Sequence, residues 1–188
     1  MDENVTTAAF EEWVRRFAHH VAENRDFLTE LDAAIGDADH GSNMDRGMKA
    51  AVAALDESRP ATPGALFSKV GMTLVSTVGG ASGPLFGTLF IRMAGSLGDA
   101  EAPSATDVAA ALRAGLGGVV DRGKAAPGDK TMYDALHPAL DALESAIARG
   151  AGIDAAFDEA AAACRAGRYS SSCRGGGSAD PKRPSPLP

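Results

Sequence analysis

Apolar residues recur at helical spacing along most of this chain. Phe10, Trp13, Val14, Phe17 and Val21 mark a first stripe, and Phe27, Leu28 and Leu31 continue it after a break near Asn24. The spacing predicts core-facing helices over both segments. Met44, Met48, Ala51, Val52 and Leu55 form the next pattern, closed by Pro60, and Leu66, Phe67, Val70, Leu74 and Val78 follow Pro63. Beyond Pro84 come Leu85, Leu89, Phe90, Met93 and Leu97. Asp107 opens a further helix carrying Val108, Ala111, Leu112, Leu116 and Val119, which ends near Gly123. Met132, Leu136, Leu140, Leu143 and Ile147 make another stripe, and Ile153, Ala156, Phe157, Ala160 and Cys164 the last. Strand-like alternation is thin throughout, so the pattern predicts an all-α fold, an antiparallel bundle of about seven to eight helices.

Three connections between these helices stand out. The run from Gly36 to Gly41 holds two glycines and two acids in six residues, which ends one helix and forces a loop. Gly79-Gly80-Ala81-Ser82-Gly83-Pro84 breaks the pattern again, and Lys124 to Lys130 forms a loop around Pro127-Gly128. After Gly167 the composition turns to serine, glycine and proline, which predicts a non-helical tail. The chain therefore divides into one helical domain, residues 1–168, and a tail, residues 169–188.

Composition narrows the function. Of 188 residues, 45% are apolar but only 5% aromatic, a mixture that suits closely packed helices. The formal charge of −7 argues against a duplex nucleic-acid surface, which normally carries a basic stripe. An acidic protein that binds an anionic phosphate needs a divalent cation between them. Cys164 and Cys173 are too few for a disulfide framework or a four-ligand zinc site. The acidic start Met1-Asp2-Glu3-Asn4 does not read as a signal peptide, and no apolar run is long enough for a bilayer, so the expected place is the cytoplasm, without a membrane partner.

The chemistry concentrates in the acidic loop. Asp32, at the end of its helix, and Asp37 and Asp39 beyond it can converge on one point, where a hard cation with oxygen ligands would relieve their repulsion. Magnesium suits a few carboxylates completed by water and phosphate. An EF-hand does not fit, because Met48 stands where a bidentate glutamate is required. Helix capping is the other reading of the same aspartates, and spacing alone leaves both open. His40 and Asn43 fall at the start of the next helix, where free N–H groups favour an anion. The Gly79 to Pro84 segment lets a backbone approach a ligand closely but lacks the Lys-Ser/Thr ending of a P-loop. Asp129 or Thr131 caps the helix that follows the third loop, and Lys130 reads either as a phosphate contact or as a solvated lysine. His19 and His20 lie on a helix flank and read as solvent-facing.

Taken together, the segment from Leu31 to Asn43 (LDAAIGDADHGSN) resembles the signature of the L subunit, the nucleotide-binding subunit, of dihydroxyacetone kinase. Gly79 to Thr88 (GGASGPLFGT) and Arg122 to Met132 (RGKAAPGDKTM) resemble that family's second and third motifs, in the same order. The similarity covers roughly residues 8–168. It implies a barrel of about eight antiparallel helices with ADP or ATP at one end, and two magnesium ions held by Asp32, Asp37 and Asp39. It further implies that His40, Gly41, Ser42 and Asn43 meet the phosphates, with Ala81, Ser82, Gly123 and Met132 lining the rest of the pocket. Arg168 matches an arginine that reaches the nucleotide, and Asp180 and Pro181 match the family's Asp-Pro pair. Ala38 stands where the family usually has glycine. After Ser170 the sequence departs from the family pattern, and the family's closing helix has no counterpart.

The resemblance implies phosphoryl transfer to dihydroxyacetone held on a separate K subunit, the nucleotide being recharged by a phosphohistidine protein, the M subunit of a phosphotransferase system. The absence of a K region from these 188 residues favours that form over an ATP-exchanging glycerone kinase. A non-catalytic nucleotide-bound regulatory module is the reading from a different class, and the helical domain of fatty-acid kinases a more distant one. A homodimer is compatible with all of them.

Overall fold

The computed structural model describes residues 4–34 and 36–170, the last three by backbone alone. Arg168 is thus placed without its side chain, and Cys173, Asp180 and Pro181 lie outside the described residues. Those residues form eight α-helices and no strand: α1 (Thr7–Glu23), α2 (Arg25–Ala33), α3 (His40–Glu57), α4 (Pro63–Thr77), α5 (Ser82–Leu97), α6 (Ala105–Gly123), α7 (Met132–Ala148) and α8 (Ile153–Ser170). From α2 onward each helix packs on its successor, and α1 lies across α3 and α4. The short connections turn the chain back at each end, as the spacing predicts.

The helix starts are set by local chemistry. Thr6, Thr62, Ser104 and Thr131 each accept a backbone N–H of the first turn on their side-chain oxygens. Asp107 does not open α6 but sits three residues after the cap. Its carboxylate accepts from Ser104 N at 2.9 Å while Ser104 Oγ accepts from Asp107 N at 3.2 Å, a reciprocal capping box. Helix α5 begins at Ser82, before Pro84, because a proline in the first turn gives up an N–H that has no helical partner there. Helix α8 runs to Ser170, beyond the expected end at Gly167, since neither glycine nor proline occurs from Arg168 to Ser170.

The main core gathers Phe10, Val14, Met44, Met48, Leu55, Phe67, Leu74, Phe90 and Met93, with Phe67 edge-on to Phe10 and Trp13 and stacked on Phe90. A second cluster joins α6, α7 and α8 through Leu116, Leu140, Leu143 and Ala156. Helices α4 and α5 cross closely at Gly71 and Gly87, where a Cβ on either would stand 2.8 Å from the other's carbonyl oxygen. Four stripe residues expected in the core are exposed. Phe27 and Leu31 remain 38% and 44% exposed because α2 is short and contributes no buried residue. Trp13 and Phe157 are each 40% exposed, and both line an open apolar groove of about 760 Å³ shared with Met93, Val108 and Leu112. Among the described residues no helix is long and apolar enough to cross a membrane.

Candidate functional site

Asp32 lies in the last turn of α2, and the chain from Gly36 to Asp39 folds back over it. Ala38 makes the turn with φ of 61°, a left-handed conformation that an L side chain adopts at a cost. A side chain on Gly36 would overlap Asp32 Oδ1, so any larger residue there displaces the carboxylate from this position. One ligand oxygen from each of Asp32, Asp37 and Asp39 lies within 4.8 Å of the others. At that separation each anion pair repels by about 1 kcal/mol in water and about 3 to 4 kcal/mol at the effective dielectric of a protein surface.

The two readings of these aspartates fall on different atoms. Asp32 Oδ2 accepts from Asp39 N at 3.0 Å and His40 N at 3.3 Å, capping α3 from seven and eight residues away. Asp39, the cap residue by position, makes no side-chain cap bond, and its carbonyl takes Ser42 Oγ and Asn43 N, both at 2.9 Å. The carboxylates of Asp37 and Asp39 and the other oxygen of Asp32 stay available to a cation. Their all-oxygen chemistry fits a hard ion such as magnesium.

The second expected segment meets the first directly: His40 Nδ1 and Ser82 Oγ are 2.9 Å apart. This contact sets the N-termini of α3 and α5 side by side, and the first-turn N–H groups beyond the one that Asp32 takes and the one that Pro84 lacks are suited to an anion. Asn43 is 7% exposed and stands against Gly79, where a Cβ would approach its Nδ2 to 3.3 Å. Gly80 turns the chain into α5 with φ of 64°. Gly41 lies against α2, with its Cα face on Arg25 O and Thr29, so its missing side chain serves helix packing.

The third segment arrives at the same end, with Gly123 beside Leu85 of α5. Its loop is organised by Asp134, which accepts from Gly128 N at 2.7 Å and Thr131 N at 3.1 Å. The Gly128 N–H above all, with those of Thr131 and Lys130, holds the Asp134 carboxyl below the usual range against the opposing effect of desolvation. Thr131, not Asp129, caps α7, and Asp129 instead accepts from Ala126 N at 2.8 Å. Met132 begins α7, and Lys130 is exposed with φ of 59°. His19 and His20 are exposed beside Glu23, as expected. Sequence reasoning missed Asp134 and Arg46. An acid three residues after Thr131 was the readable signal for the first; Arg46 had none.

These features define an all-helical domain with a three-carboxylate cluster set between adjoining helix N-termini. The DAK2 domain family matches residues 34–172, and the chain belongs to that family. It is 45% identical over 131 residues to the ADP-binding subunit of PEP-dependent dihydroxyacetone kinase 1 from Listeria innocua, covering 70% of this chain and 66% of that one. With the corresponding subunit of Escherichia coli it shares 40% identity over 148 residues, 79% of this chain and 70% of the relative. The chain thus spans about two thirds of the length of these relatives. The dihydroxyacetone kinase of C. freundii in complex with AMP-PNP and Mg2+ superposes with a TM-score of 0.71 at 28% identity, covering 92% of this chain and 31% of that one.

Proposed function

We propose that this chain is the nucleotide-carrying L component of a dihydroxyacetone (glycerone) kinase, a phosphotransferase subunit acting in the cytoplasm. It holds ADP or ATP and passes phosphate to dihydroxyacetone bound on a K subunit. The observation that carries this reading is the convergence of Asp32, Asp37 and Asp39 beside two helix N-termini that His40 and Ser82 join. When bound, magnesium supplies the positive charge that phosphate oxygens need next to a protein of net charge −7. Three carboxylates are enough to hold two such ions with water and phosphate completing their shells. The first-turn N–H groups of α3 and α5 that Asp32 and Pro84 leave over bind and orient the phosphates, while Ser82 fixes the imidazole of His40 toward them. Phosphoryl transfer asks little covalent chemistry of the protein, so positioning and charge neutralisation suffice.

Recharging by a phosphohistidine M subunit is the reading the identities favour. Four relatives named as ADP-binding subunits of PEP- or PTS-dependent kinases are 38–45% identical, against 38% for triokinase/FMN cyclase of Rattus norvegicus and 36% for D-erythrulose kinase of Mycolicibacterium smegmatis. The test starts from purified chain, denatured and assayed by mass spectrometry for released ADP, and is repeated with Asp37→Asn. Nucleotide should co-purify with the wild type and be depleted at least about tenfold in the variant, the lower bound for disturbing even a group behind a metal ligand. Turnover with K subunit and a phosphoprotein, but not with ATP, supports the recharged coenzyme; turnover with ATP assigns the exchanging kinase. Magnesium-dependent binding with no transfer from either donor assigns a regulatory module.

A further inference from the structure

The acidic and glycine loops are joined at a second point, through a residue outside the three motif roles. Arg46 extends from the second turn of α3, and its Nη2 donates to Asn43 Oδ1 at 2.8 Å. Its Nε and Nη2 also donate to Thr77 O, at the end of α4, at 3.3 and 3.2 Å. The Asn43 oxygen is therefore occupied, while its Nδ2 has no hydrogen-bond partner among the described residues and faces Gly79. A carboxamide can turn over and exchange donor for acceptor, but a guanidinium only donates. Arg46 accepts one orientation alone, with the oxygen toward itself and the amide hydrogens toward the glycine loop.

We propose that Arg46 is a positioning residue that fixes the Asn43 carboxamide with its donors presented to a phosphate oxygen, anchored in turn on the carbonyl that precedes the glycine loop. This rests on the reading that the phosphates of a magnesium nucleotide bind at this end. A flipped or wandering Asn43 would present an acceptor to an anion and repel it. Arg46 acts through Asn43, so its effect should exist only while Asn43 is present.

The test is a double-mutant cycle of Mg-ADP affinity by calorimetry on wild type, Arg46→Met, Asn43→Ala and the double variant, each with a melting curve. Arg46→Met should bind about tenfold more weakly, equivalent to about 1.4 kcal/mol. Arg46→Lys, which keeps a donor, should recover part of that loss. In the Asn43→Ala background the Arg46 substitution should change affinity little. An undiminished loss there, or unchanged binding by Arg46→Met in the wild-type background, overturns the proposal. If Arg46→Met does not fold, the same cycle is read with Arg46→Lys. A wild-type chain that binds no Mg-ADP removes the functional reading first and this proposal with it, whereas wild-type binding that ignores Arg46 removes this proposal alone.

Discussion

Ala38 holds the left-handed turn that brings Asp37 and Asp39 back over Asp32. An L residue there costs about 1–2 kcal/mol, and glycine would relieve the strain while giving back about 0.4–1 kcal/mol through the unfolded chain. Ala38→Gly should therefore leave denaturant stability equal or slightly higher. Ala38→Val, with a branched side chain in the same turn, should lower stability and weaken magnesium binding in a calorimetric titration; a valine variant with wild-type values on both counts would show that the turn carries no strain. Asp134 makes a prediction about acid. Its ionised form is favoured in the folded loop, chiefly by the Gly128 N–H, so its contribution is full above the ordinary carboxylate value of about 3.9 and is lost as pH falls through the lower folded value. The Gly128 amide resonance should stay in place down to about pH 4 and move only below it, and Asp134→Asn should abolish that titration. A midpoint above the ordinary value would contradict the bonding seen here. The sequence marked Ala38 as unusual, yet no pattern of residue types could reveal its φ, which the closure of the loop imposes.

At the scale of elements, the aspartate cluster depends on how α2 lies on α3. Gly41 permits that contact, because the space of its absent side chain is filled by Arg25 O and Thr29. Backbone cannot yield as a flexible side chain does. Gly41→Ala should push α2 off α3, cost about 1–3 kcal/mol as overpacking does, and draw Asp32 away from the N–H groups of Asp39 and His40. Urea denaturation gives the first effect and magnesium titration the second; destabilisation without any loss of magnesium affinity would separate the cluster from the seating of α2. The resemblance assigned Gly41 to the phosphates, and packing supplies a further reason for glycine at this position. Phe27 and Leu31 teach the converse: their spacing is that of a buried face, but a nine-residue helix at the edge of the bundle has, among the described residues, no layer outside it to complete the burial.

Across the whole molecule, binding should appear as stability. A ligand at about 100 times its dissociation constant adds about 2.7 kcal/mol to the native state, which for a chain of this size raises the melting temperature by about 5–10 °C. Magnesium and ADP together should produce a shift of that order, either alone a smaller one, and EDTA should reverse it. No shift at saturating concentrations of both would remove the site. The same dependence follows from net charge, since an acidic chain gathers a polyphosphate only with cations present.

The sequence by itself determined the helices, because the 3.6-residue period and the Ser, Thr and glycine punctuation are local properties of each segment. It also determined that the three acids of Asp32 to Asp39 stay near one another, since residues so close along the chain have few ways to part. Tertiary structure alone decided that His40 meets Ser82, that Arg46 reaches both Asn43 and Thr77, and that Trp13 and Phe157 open onto a groove. Each of these depends on the distance and angle between helices, quantities fixed by packing at places such as Gly71 and Gly87 and carried by no single stretch of chain.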